Sequence, residues 1–109
     1  MNTRIFNTSE VTVEILNNCA QDLKNGAVVV LPTETVYGIV CNASDEDAVG
    51  KLCDIKQKPK NVPLQYLAVD TPAAAALSVM TEADKKLAAA FWPGELTLIL
   101  PPQNKAKIF

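Results

Sequence analysis

The chain has 109 residues, 49% hydrophobic and 20% charged, which suits one modest folded domain spanning 1–109 and excludes a disordered, highly charged segment. A formal net charge of −2 excludes a chain-wide basic nucleic-acid footprint, and the absence of histidine excludes a histidine-based triad. No apolar run reaches the roughly 18 residues of a membrane span; Met1–Phe6 lacks a secretory apolar stretch, and Cys19, Cys41 and Cys53 form no Cys-x-x-Cys pair. A cytoplasmic protein with no membrane association, reduced buried thiols and no protein-held metal is therefore expected.

Thr3–Phe6 reads as a short first strand. Thr8 and Ser9 are candidate N-caps for a helix over 9–25, whose Ile15, Leu16, Cys19, Ala20 and Leu23 recur at helical spacing and which Asn25-Gly26 stops. Ala27–Leu31, rich in β-branched residues, predicts a buried strand, and Ile39–Cys41 a second one after Gly38. Ser44-Asp45-Glu46-Asp47 resembles a capping box. It opens a helix with a stripe of Ala48, Val49, Leu52 and Ile55, ending near Lys56 because Pro59 cannot continue it. Leu64–Val69 reads as a strand, Thr71-Pro72 as the start of a short alanine helix, and Thr81–Asp84 as the start of another carrying Leu87, Ala88 and Phe91. Trp92-Pro93-Gly94 ends that helix; Leu96–Leu100 predicts a last strand, and Gln103–Phe109 forms no definable element. Strands alternating with helices argue for α/β layering.

Three clusters carry possible chemistry. Thr33, Glu34, Thr35 and Tyr37 follow the core strand, where α/β proteins place ligands; their hydroxyls suit recognition rather than proton transfer. The alternative is a solvated polar turn. Lys56, Lys58 and Lys60 concentrate positive charge between helix and prolines, able to hold phosphate or carboxylate or simply to complement the helix dipole. Phe91-Trp92-Pro93-Gly94 offers either a stacking ring or a core plug beside a helix end. Gly26, Gly38, Gly50 and Gly94 are too scattered for a P-loop or a dinucleotide turn.

In this order, the clusters resemble the YrdC/Sua5 family of threonylcarbamoyl-AMP synthases. Val28–Gly38 is similar to that family's strand and Pro-Thr-(Asp/Glu)-Thr-Val-Tyr-Gly loop, Ile55–Pro59 with Pro63-Leu64 to its Lys-x-Arg-Pro…Pro-Leu segment, and Phe91–Leu100 to its Trp-Pro-Gly-Pro-Leu-Thr strand entry. The resemblance implies a YrdC-like α/β fold, a twisted mixed sheet flanked by helices, expected to be incomplete here. It implies a nucleotidyltransferase that joins L-threonine, bicarbonate and ATP into L-threonylcarbamoyladenylate with release of pyrophosphate, for the N6-threonylcarbamoyl modification of adenosine in tRNA. Mg²⁺ would accompany the ATP. Lys56 and Lys58 are the implied catalytic cations; Pro32, Thr33, Thr35, Tyr37, Lys60 and Pro63 are the implied substrate- and nucleotide-binding residues.

Two departures are expected to matter. Lys58 stands where the family has arginine, so the bidentate guanidinium grip is replaced by a point charge, and Val62 replaces a polar residue. The family's Ser/Thr-Ser-Ala-Asn segment and arginine strand are absent from these residues, so a truncated and catalytically impaired member is expected. An unpaired apolar edge at 96–100 would then be able to pair with a second copy. The alternatives are a non-catalytic module on the same fold that binds tRNA or double-stranded RNA, or acts in regulation, and a carbamoyl-transfer domain like that of hydrogenase maturation proteins.

Overall fold

A computed structural model describes residues 3–59 and 61–104. Its sheet is a hairpin: β1 (Val29–Pro32) pairs antiparallel with β2 (Tyr37–Val40), in the register Val29 with Val40, Val30 with Ile39, Leu31 with Gly38 and Pro32 with Tyr37. The four intervening residues, 33–36, form the turn. Among the described residues four helices accompany it: α1 (Val13–Lys24), α2 (Glu46–Ile55), α3 (Thr71–Leu77) and α4 (Glu82–Phe91).

The helix boundaries follow from their caps. Thr12 accepts the Ile15 N–H and starts α1, while Thr8–Glu10 forms a separate 3₁₀ turn capped by Asn7. The helix therefore begins later than Thr8 or Ser9 would have it. Gly26, at φ 91°, supplies the left-handed stop after Asn25, and its missing Cβ leaves room for the Asp45 carboxylate, which would lie 3.0 Å away. Asp45 caps α2 through the Ala48 N–H, and Asp70, one residue before Thr71, caps α3 through Ala73. In α4 the box is complete: Thr81 accepts from Asp84 N–H while the Asp84 carboxylate accepts from the Thr81 N–H. The Lys51 ammonium donates to the Gly26 carbonyl, 3.3 Å, tying α2 to the α1–β1 turn.

α2 ends in a two-bond Schellman closure. The Gln57 N–H donates to the Asp54 carbonyl (3.1 Å) and the Lys58 N–H to the Cys53 carbonyl (2.9 Å), which requires Gln57 at φ 54°. A side chain in this region strains the backbone where glycine would not. Gln57→Gly is expected to stabilise the fold by about 1 kcal/mol, read as a higher urea midpoint at unchanged slope.

The buried side chains lie on one face of α2, Ala48, Val49, Leu52 and Cys53, with Ala88 of α4. Ile55, placed on the same stripe by its spacing, is instead 52% exposed because the face turns toward 48, 49, 52 and 53. The apolar faces of α1 and α4 form as their periodicity predicts but are only partly covered: Leu16 and Phe91 remain exposed. The accessible surface is 8597 Å², against about 5,900 Å² for a typical folded monomer of this size.

The segments at 3–6, 64–69 and 96–100, predicted as strands, carry no ladder among the described residues. Their sequences have strand composition, but a strand exists only when a neighbour accepts and donates its backbone hydrogen bonds. Ile99 is 99% exposed, in keeping with an uncovered apolar segment. Among the described residues, the Gln65 amide donating to the Thr97 hydroxyl at 2.7 Å joins two of these segments. Near the chain's end, Ser78 and Pro102 form an isolated antiparallel bridge.

Candidate functional site

The turn between β1 and β2 is locked by its first residue. Both the N–H and the hydroxyl of Thr33 donate to the Val36 carbonyl, at 3.3 and 2.5 Å, while the same hydroxyl accepts the Thr35 N–H at 3.3 Å. Proline directly before it fixes the entry angle. The Thr33 hydroxyl is therefore largely consumed in shaping the turn, whereas Thr35, Glu34 and Tyr37 are exposed at its surface. Thr33→Val is expected to cost the turn about 1 kcal/mol and speed hydrogen exchange at the Thr35 amide roughly fivefold; Thr33→Ser should keep the wild-type rate.

This turn forms one wall of a cavity of about 520 Å³. Thr33–Gly38 line one side, Ile39–Ala43 continue along β2 and beyond it, α2 contributes Val49, Leu52 and Lys56, and Leu64–Leu67 close a further side. The volume lies within the range of small-molecule sites. Lys56 and Glu34 are the charged side chains among the lining residues. Lys56 is positioned as the C-cap of α2, one residue before the left-handed Gln57.

The fold brings together four of the eight residues expected at the site: Thr33, Thr35, Tyr37 and Lys56. Pro32, Lys58 and Pro63 do not line this cavity, and Lys60 lies outside the described residues. The separation of Lys56 from Lys58 follows from the backbone reversal at Gln57. Glu34, a member of the first cluster, also lines the cavity, as do Asn42, Gln65 and Tyr66, which the sequence reading did not single out. For Gln65 and Tyr66 the only available signal was their position directly after Pro63-Leu64.

Trp92 is half-buried and its indole N–H donates to the Leu96 carbonyl at 2.7 Å, bracing the turn after α4. It does not line this cavity, and it is not among the buried core residues either. In that turn Gly94, at φ 156°, passes so close to the Phe91 carbonyl that a Cβ would lie 2.5 Å from its oxygen. Cys41 lines the cavity, and burial first, then the Asp45 charge and Cys53, raises its thiol above the ordinary range. It is therefore protonated at neutral pH and a poor nucleophile. Cys19 and Cys41 are half-buried and Cys53 fully buried; all three are free. Among the described residues no helix is long and apolar enough to cross a membrane, and no group of three metal-ligating side chains occurs.

A hairpin whose polar turn, together with the following helix, walls a cavity of ligand size is an α/β arrangement able to hold a small molecule. Its relatives narrow that class. A profile of the Sua5/YciO/YrdC family, described as telomere recombination, matches residues 21–109. The threonylcarbamoyl-AMP synthase of Bacillus subtilis is 40% identical over 99 residues, 84% of this chain and 29% of that protein. That of Pyrococcus abyssi is 40% identical over 80 residues, 72% of this chain and 24% of the relative. The crystal structure of P. abyssi Sua5 complexed with L-threonine superposes with a TM-score of 0.82 at 34% identity, covering 89% of this chain and 29% of that one. The chain belongs to the Sua5/YciO/YrdC family and has its α/β fold. It spans roughly a quarter of the length of these relatives.

Proposed function

We propose that this chain supplies the ATP- and threonine-facing part of an L-threonylcarbamoyladenylate synthase. The observation that carries the reading is the shared cavity of Thr35, Tyr37 and Lys56, in a chain whose relatives are named threonylcarbamoyl-AMP synthases. In the proposed reaction the amino group of L-threonine takes up bicarbonate as a carbamate, with loss of water. A carbamate oxygen then attacks the α-phosphorus of ATP, the bond to the bridging oxygen of the β-phosphate breaks, and pyrophosphate leaves.

Both reactants are anions, so their approach is opposed unless cationic groups sit between them. Lys56 lines the cavity where such a charge would act, and Lys58 and Lys60 would add to the local positive field. Thr35 and Tyr37 offer hydroxyls that donate or accept without titrating near neutrality. Thr33 serves by holding the turn, with Pro32 setting its entry and Pro63 the approach of the 64–67 wall. One carboxylate, Glu34, lines the cavity, which fits a Mg²⁺ ion carried chiefly by the triphosphate rather than one held in a protein cage. When bound, Mg²⁺ would neutralise phosphate charge.

The test is to combine the protein with ATP, L-threonine and bicarbonate and to follow threonine-dependent pyrophosphate release, alongside calorimetric titration with ATP and with L-threonine. Saturable binding of both ligands is expected, with turnover slower than that of a chain extended through the family's Ser/Thr-Ser-Ala-Asn segment and arginine strand. Absence of binding and turnover overturns the reading, and salt-sensitive tRNA binding without turnover replaces it with an RNA-binding module.

A further inference from the structure

We propose that Asn25 is a site of covalent modification, a deamidation gated by the closed end of α1: its side-chain amide is lost to attack by the Gly26 nitrogen only when the α1 cap opens.

Asn25-Gly26 is the one Asn-Gly step in the chain. The Gly26 backbone nitrogen bonds to Asn25 Cγ, the bond from Cγ to the side-chain nitrogen breaks, and that nitrogen leaves as ammonia with the proton of the Gly26 N–H. Water then adds to either carbonyl of the resulting succinimide ring. One opening gives aspartate; the other gives isoaspartate, whose main chain runs through the former side chain and is one carbon longer. Glycine favours the attack because no side chain crowds its nitrogen and its backbone turns freely. Asn25 is exposed, and the Gln21 amide reaches its Oδ1 only at 3.5 Å, so the side chain is open to water and weakly held.

The folded cap withholds the nucleophile. The Gly26 N–H donates to the Leu23 carbonyl at 3.1 Å and the Ala27 N–H to the Asp22 carbonyl at 3.0 Å, a Schellman closure. Asn25 has ψ 9°, so along its Cα–C bond the Gly26 nitrogen eclipses the Asn25 nitrogen and not Cβ, where ring closure needs it. Turning it to Cβ is a rotation by one tetrahedral position, which pulls both N–H groups off their carbonyls. Gly26 is itself buried, and its carbonyl accepts the Lys51 ammonium at 3.3 Å, which holds the turn against that rotation. The reaction therefore draws on the opened population. Its products do not refit the cap. The new carboxylate stands at the C-terminus of α1, where the helix carbonyls are already partly negative, and the longer isoaspartyl chain shifts the approach to β1 at Val29.

Peptide mapping that separates aspartyl from isoaspartyl forms follows Asn25 at neutral pH in folded wild-type protein, in the same protein unfolded in urea, and in Lys51→Ala. Hydrogen exchange at the Gly26 amide is measured alongside. In urea Asn25 is expected to be the first asparagine converted. Folded protein should convert it about tenfold or more slowly, by a factor that matches the protection of the Gly26 amide. Lys51→Ala should raise the folded rate by about threefold and leave the rate in urea unchanged. Equal rates in folded and unfolded protein overturn the gating, as does a slowing that does not match Gly26 protection or a folded rate unchanged in Lys51→Ala. Conversion of another asparagine before Asn25 in urea overturns the site. If Lys51→Ala does not fold, the wild-type match between slowing and amide protection decides alone.

Discussion

Lys56→Ala is expected to lower threonine-dependent pyrophosphate release about 100-fold, the scale on which removal of one charge-stabilising donor acts in comparable transfer reactions. The reason is positional. Lys56 is the one lysine among the described lining residues, and it occupies the C-cap of α2, where the helix itself presents carbonyl oxygens. Those partial negative charges disfavour phosphate, so in the proposed reaction the ammonium would have to offset them as well as the repulsion between carbamate and triphosphate. The side chain is exposed in the free protein. Its field is screened there and strengthens when ligands displace water from the cavity. Lys56→Arg should retain most of the ATP affinity because the charge remains, whereas Lys58→Ala should have a smaller effect than Lys56→Ala because Lys58 does not line the cavity. Calorimetric ATP titration of the same variants separates binding from turnover. Equal losses at the two lysines would sink the assignment.

That asymmetry between two lysines marks the limit of what the residues disclosed by themselves. The Lys56–Lys60 cluster was visible as a local charge in an acidic chain, but its division was not, because it depends on Gln57 adopting a left-handed conformation that sequence does not announce in a non-glycine residue. Local signals read well: Asn25-Gly26, the Thr81–Asp84 box and the acidic start of α2 each satisfy orphan helix groups within a few residues of themselves. Which neighbour does the capping read less well, as Thr12 and Asp70 illustrate, since both candidates in each pair have the chemistry and only backbone angles choose between them. The segments 64–69 and 96–100 were legible in composition and not in structure, because a ladder is a property of two segments. For the same reason the cavity wall carrying Tyr66 was missed: a lone tyrosine in a presumed strand acquires meaning only from what it faces.

Leu52→Ala is expected to be the most damaging single truncation of the fold, at about 2–4 kcal/mol. Leu52 is 6% exposed, and its companions on the buried face of α2 are smaller: Ala48, Val49 and Cys53. Removing its branched end takes apolar contact from the middle of the buried stripe and leaves a void that three short neighbours cannot fill by rotation. The cost falls on a chain that already exposes more surface than a folded monomer of its size, so the same loss is a larger share of its total stability. Leu52 also lines the cavity, which ties the core to the site: the helix face that packs inward is continuous with the one that presents Lys56. Urea unfolding measures the first effect, as a lower midpoint at unchanged slope. Leu16→Ala on α1, where the side chain is 58% exposed, should stay within about 0.5 kcal/mol of wild type. Comparable losses at the two leucines would show that α2 is not the centre of the core.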